Sequence, residues 1–363
     1  MSMVPDPSAL ARRPAPGEAP SRRTLLQLSA VGAAVSLVPG CVQGSQNRDA
    51  APVPDWGAAD IPDQTGRRVL VTGGNGYPQD GRSGLGYHVA LELARAGAAV
   101  TIASRRQDRG ADAVRRIRAE VPGAVIRFEP LDLADLGSVQ AFAGRMSASG
   151  EGLDLMVNNA GVMGRRELEL SVDGFERVFA TNTLGHFALT ALMLPMLQRG
   201  QDPQVVWVSS LRMAGGLSLT DLPRPQAYDY AAAYDNSKLA NLLLAHELDR
   251  RSRAEGWGVA SLAAHPGVAR TNLIPDGPGL DSAEGFRFRF LPFMFRPAAQ
   301  GALPILYAGA APQAEAGGYY GPTAMGGLRG PPGPAPAPSA AQDPDAAADL
   351  WTVLERLAGV SFG

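Results

Sequence analysis

Arg68-Val69-Leu70-Val71-Thr72 is a short β-branched run, interrupted at once by Gly73, Gly74 and Gly76. A run of this length bounded by glycine predicts a buried strand. Glycines recur at 81, 84 and 86, and Tyr87 to Ala96 then predicts a helix closed by Gly97. Strand, glycine turn and helix together present backbone N–H groups at a helix N-terminus, where a pyrophosphate binds. Glycine is needed there because a side chain would hold the backbone away from the phosphates.

The unit repeats downstream. Ala99–Ala103, Ala124–Phe128, Leu153–Val157, Gln204–Val208 and Val259–Ala263 predict further strands, with a short last one at Gly318–Pro322. Helices are expected at Asp108–Glu120, from about Val172 to Gln198, through Tyr234–Arg253, and at Gln300–Ala310. This alternation predicts an α/β fold, a single Rossmann-type domain with a doubly wound parallel sheet. Ligands of such sheets gather at the carboxyl ends of the strands.

Composition narrows the chemistry. With 363 residues, 45% of them hydrophobic, the chain can bury a large core. A net charge of −2 gives no electrostatic case for a nucleic-acid partner. A single cysteine, Cys41, excludes a disulfide within the chain, and four histidines without metal-ligand spacing argue against a zinc site. The second strand ends in Ser104-Arg105-Arg106, without the acidic group that binds the ribose of NAD. Guanidinium suits a 2′-phosphate, so NADP is expected over NAD, with Arg105 as its contact.

Tyr234-Asp235-Asn236-Ser237-Lys238 sets a phenol and an ammonium four residues apart on one helix face. A fixed positive charge nearby favours phenolate, so Tyr234 is expected to have a lowered pKa and to act as general acid and base.

Several segments, in order, resemble the short-chain dehydrogenase/reductase family. Thr72-Gly73-Gly74 and Ser83-Gly84-Leu85-Gly86 resemble its T-G-x-x-x-G-x-G cofactor loop, with about seven inserted residues around Gly76–Arg82. Either Asn75 or Arg82 fills the fourth position of that motif. Leu131-Asp132-Leu133 resembles the pair that contacts adenine, and Asn158-Asn159-Ala160-Gly161 the segment that steadies the sheet and lines the ribose. The resemblance implies a catalytic Asn182, supporting a proton relay, and a catalytic Ser210 that donates to the substrate oxygen. It also implies that Lys238 binds the nicotinamide ribose and that Pro266, Gly267 and Thr271 meet the nicotinamide. Leu239-Ala240-Asn241 looks most like retinol-dehydrogenase-type members. His186 and His265 read as structural. Asn272–Pro297 holds Phe286, Phe288, Phe290, Phe293 and Phe295, and this stretch is expected either to form a substrate lid suited to an apolar alcohol or ketone, or to pack against the fold or a membrane.

The ends differ in character. Residues 1–41 resemble a twin-arginine signal peptide: Arg22-Arg23 precede an apolar run from Leu25 to Val38, too short to span a bilayer comfortably. Leu37-Val38-Pro39-Gly40-Cys41 resembles a lipobox, which would make Cys41 a lipidated membrane anchor. Residues 42–66 read as a linker, 67–325 as the dehydrogenase domain, 326–345 as a Pro-rich linker and 346–363 as a terminal helix. The chain is therefore expected to be an NADP-dependent oxidoreductase acting on an alcohol or carbonyl. Its expected partners are the twin-arginine export machinery and a periplasmic or envelope membrane, with a cytoplasmic location as the alternative. Homo-oligomerisation stays open. The competing functions are an exported, non-catalytic cofactor-binding protein and a sugar-nucleotide epimerase or dehydratase.

Overall fold

Side chains alternate across a strand, and here both faces of the central strands are apolar. In β1 (Arg68–Thr72), Leu70 enters one core while Val69 and Val71 enter the other. In β4 (Leu155–Asn158), Met156 joins Leu70, and Leu155 and Val157 join the opposite side. A sheet buried on both faces needs two helical layers, and the computed structural model, which describes residues 55–362, supplies them. The signal segment, Cys41 and linker residues 42–54 lie outside the described residues.

Eight strands stand in the order β3 (Ile126–Pro130), β2 (Ala99–Ser104), β1, β4, β5 (Gln204–Val208), β6 (Ala260–Ala264), β7 (Tyr319–Ala324) and β8 (Arg329–Pro334). The first seven are parallel, and β8 runs antiparallel to β7. Helices α1 (Leu85–Arg95), α2 (Gln107–Glu120) and α7 (Ala298–Ala310) bury their apolar residues on one face. Helices α3 (Leu136–Ser147), α4 (Gly185–Leu197), α5 (Tyr230–Glu255) and α8 (Pro344–Ala358) cover the other. The short helix α6 (Ala283–Phe290) contributes to neither core. Strand order reverses between β1 and β4, and a crevice opens at such a switch point.

Three expectations need correction. The helix foreseen from Val172 begins only at Arg177. Upstream, Leu170 pairs with Glu176 around Gly174, and the Glu176 carboxylate caps the N–H groups of Val178 and Phe179 at 2.8 and 2.7 Å. The Pro-rich segment within 326–345 is not a tether but contains the edge strand β8, with Pro332 opposite Pro322 and Gly333 opposite Gly321. An edge strand tolerates proline because it needs no donor on its open side. The terminal helix α8 packs back on the core through Leu350, Trp351 and Leu354, in line with its apolar spacing: Trp351 packs edge-on against Phe187 at 5.0 Å, and Phe362 closes over it at 4.3 Å. At the other end, the last part of the 42–66 linker is also packed. Trp56 is buried edge-on against Tyr307 at 5.3 Å, and the Gln64 N–H donates to the Ala96 carbonyl.

Candidate active site

The carboxyl ends of the parallel strands open into one cleft of about 920 Å³. Its floor is tied together by Thr72. The Thr72 hydroxyl accepts the N–H groups of Asn159 and Ala160 at 3.0 and 2.9 Å, and lies 2.8 Å from His186 Nε2. Burial holds the His186 pKa down at about 4, so the ring is neutral. Its Nδ1–H donates to the Asn182 carbonyl at 3.0 Å, leaving Nε2 to accept from Thr72. The Asn159 amide returns to the Thr72 carbonyl at 2.7 Å. The glycine turn and the Asn-Asn-Ala-Gly segment are thereby locked edge to edge. Thr72 itself is fully buried and acts through that lock rather than on the cleft surface.

Gly73 adopts φ +74°, and a Cβ there would stand 2.8 Å from Ala160 Cα. At Gly86 a Cβ would come within 2.4 Å of Asn159 Nδ2. Only glycine permits this approach, and the result is the bare backbone cradle a pyrophosphate requires. The insertion leaves that cradle open. Gly84 N–H donates to Gly76 O at 2.6 Å and pinches the loop at its neck. Beyond the neck, Gln79 and Arg82 pair in a tight exposed turn. Tyr77 anchors the loop on α2, with the Arg116 guanidinium 4.3 Å from its ring centroid. Asn75, Gly76, Gly84 and Leu85 line the cleft; Arg82 does not, so Asn75 takes the fourth motif position. Ser83, expected at the cofactor, instead contacts His88 Nε2 at 2.7 Å and lies off the cleft.

The catalytic candidates converge on the other side. A π turn at Ala180–Leu184 precedes α4 and swings Asn182 inward. Its amide accepts from Val162 N–H at 2.8 Å and donates to Val162 O and Ser237 Oγ, both at 3.0 Å. On α5, Tyr234, Ser237, Lys238 and Asn241 share the buried face at i, i+3, i+4 and i+7. Lys238 Nζ donates to the Val208 carbonyl at 3.0 Å and sits 5.6 Å from the Tyr234 ring centroid. A Cβ on Gly161 would lie 3.5 Å from both Lys238 Nζ and Asn182 Oδ1, which sets how closely those groups approach. Ser210 follows β5, and its hydroxyl accepts from Arg212 N–H at 3.1 Å. Its neighbour Ser209 is structural, donating to the Lys238 carbonyl at 2.7 Å.

The expected lowering of the Tyr234 pKa is not what this cleft produces. Burial pushes the phenol upward, opposed by the Ser210 hydroxyl and the Arg212 guanidinium. Burial also lowers Lys238 to about 8, because no carboxylate pairs with it. Desolvation penalises the charged form of both groups and is the largest influence on each.

At the end of β2, Arg105, Arg106 and Arg109 line the cleft. Arg106 is held by Asp108 at 2.6 Å, and Arg109 lies 5.4 Å from the Tyr77 ring centroid. The Ser104 hydroxyl is buried without a hydrogen-bond partner beside them. Asp132, Leu133, Pro266, Gly267 and Thr271 also line the cleft. Two contributors escaped the sequence. Arg109 is one helical turn beyond Arg105, a spacing that was there to be read. Arg212 had no such signal: it contacts Asp235 at 3.1 Å and Glu284 of α6 at 3.5 Å, joining the Ser210 loop, the catalytic helix and residues 273–297, whose first part lines the outer wall of the cleft.

With this geometry in view, the comparisons are specific. A sequence profile described as short chain dehydrogenase matches residues 67–276. Polyprenol dehydrogenase of Mus musculus is 41% identical over 268 residues, covering 72% of this chain and 76% of that protein. Retinol dehydrogenase 13 of Mus musculus is 36% identical over 350 residues, covering 94% and 96% respectively. A crystal structure of an uncharacterized protein from Mycobacterium Paratuberculosis is similar at a TM-score of 0.68 and 38% identity, covering 85% of this chain and 99% of that one.

Proposed function

The chain belongs to the short-chain dehydrogenase/reductase family, among retinol-dehydrogenase-like members, and is an oxidoreductase; we propose that it transfers a hydride between NADP and an apolar, isoprenoid-like alcohol or its carbonyl. The observation that carries this reading is the meeting of Ser210, Tyr234 and Lys238 in one cleft with the glycine cradle. A nicotinamide bound there supplies or accepts the hydride. In reduction, Ser210 donates a hydrogen bond to the substrate carbonyl oxygen and Tyr234 Oη gives that oxygen its proton as the hydride reaches the carbon. The C=O π bond is replaced by one C–H and one O–H bond. In oxidation Tyr234 receives the hydroxyl proton instead. Lys238, held by the Val208 carbonyl, supplies positive charge beside the phenol and a donor for ribose hydroxyls, while Asn182 fixes the turn between them.

The preference for NADP is supported by Arg105 and Arg109 together with the unpartnered Ser104 hydroxyl, three donors and no unpaired acid at the end of β2. The apolar substrate is supported by the exposed phenylalanines of residues 273–297 near the cleft and by the substrates named in two relatives, polyprenol and retinol. Purified protein assayed with prenols and retinoids against short polar alcohols, with each nicotinamide, tests both points. NADP with a long prenol should give the highest kcat/KM, and Arg105→Gln should raise KM for NADP about tenfold while leaving NAD unchanged. A clear preference for NAD, or for short polar alcohols, would discard the corresponding half of the proposal.

Export rests on the amino-terminal pattern alone, Arg22-Arg23 with the apolar run and Cys41 after it. The expected result is a membrane-fraction protein whose amino terminus begins at Cys41. An intact chain recovered with the cytosol would refute it.

A further inference from the structure

Eight of the twelve exposed large apolar side chains among the described residues lie in one region. Phe286, Phe290 and Phe293 are 58, 56 and 71% exposed, and Met325 is 69% exposed. They form a connected rim. The rings of Phe286 and Phe290 are 4.8 Å apart. Arg329 donates to the Phe293 carbonyl, which brings the β7–β8 turn against the outer wall. Leu211 touches that same turn at Gly327 and directly follows Ser210 in the chain. The rim therefore runs from α6 to the edge of the catalytic loop.

Its charge is one-sided. Arg287 and Arg289 are exposed and alternate with the phenylalanines, and Arg329 is exposed beside them. Glu284 is engaged by Arg212 and by the Tyr230 hydroxyl at 3.2 Å, which leaves Asp276 and Asp281 as the exposed acids of residues 273–297, against the exposed Arg287, Arg289 and Arg329. Exposed aromatics interleaved with guanidinium groups fit an interface that is apolar below and anionic above. A second copy of the chain is a poorer fit, because a two-fold contact would set the arginines of one rim against those of the other.

We propose that this rim docks on an anionic lipid bilayer, with Phe290 and Phe293 entering the headgroup–acyl boundary and Arg287 and Arg289 resting on the phosphates. Docking would aim the cleft mouth at the bilayer. Delivery of an apolar substrate by that route rests on the function proposed above; docking itself does not, and is measured without turnover.

The full chain is sedimented with phosphatidylcholine vesicles, with and without phosphatidylglycerol. Salt-sensitive binding is expected when phosphatidylglycerol is present. Phe290→Ser with Phe293→Ser should weaken binding to both vesicles by about tenfold or more. Arg287→Gln with Arg289→Gln should weaken only the anionic preference, by about tenfold. The amino-terminal segment is common to every variant, so its own contribution cancels. A polarity-sensitive dye at Phe293→Cys, on a Cys41→Ser background, should shift to the blue on anionic vesicles. Failure of the wild type to bind, equal binding by the phenylalanine variant, or an unshifted dye would overturn the proposal. So would light scattering that shows a wild-type dimer and a monomeric phenylalanine variant.

Discussion

The two walls of the cleft are built by opposite means. The inner wall is made of strand ends, the π turn and α5, whose polar groups are buried and paired: Thr72 with Asn159, Ala160 and His186, Asn182 with Val162 and Ser237, Lys238 with Val208. The outer wall, residues 273–297, is made of short helices with Phe286, Phe290 and Phe293 standing in solvent. A proton transfer needs groups held within hydrogen-bond reach, and a buried sheet supplies that rigidity. Substrate entry needs adaptable apolar surface, and short helices that join neither main core suit that need. Substitutions should therefore separate cleanly: chemistry fails at the inner wall, and selectivity changes at the outer one.

The largest effect is expected at the centre of the inner wall. Tyr234→Phe removes the proton donor but keeps the ring, and should lower kcat about a thousandfold. Its melting temperature should stay close to wild type. Residual turnover within tenfold of wild type would show that the proton travels by another group.

The inner wall should also be acid-labile. Burial holds both His186 and His265 at about 4, below their ordinary value of 6.5. Between those two values the unfolded chain takes up protons that the folded chain refuses. Stability is thus fully present above pH 6.5 and is lost as pH falls toward 4. At about pH 5 the two rings together should cost roughly 3–4 kcal/mol. Urea unfolding at neutral and at acid pH measures this, and equal stability at both would mean that neither ring is buried as described.

How much of this was legible in the sequence follows the same division. The strand ends were readable because glycine, Asn159 and the Tyr234–Lys238 spacing are local patterns with local geometric meaning. The neck of the insertion was not, because it depends on Gly76 meeting Gly84 across an outward loop. Proline composition suggested a linker where β8 pairs with β7, since an edge pairing is decided by the partner strand and not by the prolines. The direction of the Tyr234 shift was misjudged for a related reason. Sequence shows that a lysine is near, but the desolvation that dominates the shift comes from the whole fold. Arg212 was invisible because its two acidic partners, Asp235 and Glu284, come from distant segments.

Arg212 joins the two walls, and gives an intermediate effect. Its guanidinium opposes the upward push on Tyr234, so Arg212→Gln should raise the phenol further. The limb of the oxidation profile that requires phenolate should move to higher pH. Glu284→Gln, which releases only the outer contact, should leave that limb in place and raise KM. An unmoved profile in the arginine variant would reduce Arg212 to a structural strut.

The smallest effect on stability belongs to the outer wall. Phe290→Ala removes an exposed ring whose aromatic neighbour is Phe286, and the unfolding free energy should change by no more than about 0.5 kcal/mol. The same change should raise KM for a long prenol about threefold while leaving a short alcohol unaffected, because only a long chain reaches the rim. Phe288, buried beside Phe295 at 5.2 Å, is the control from the same helix: Phe288→Ala should cost about 3 kcal/mol. If Phe290→Ala proved as costly as Phe288→Ala, the outer wall would be a second core, and the contrast between a rigid wall for chemistry and an adaptable one for substrate would collapse.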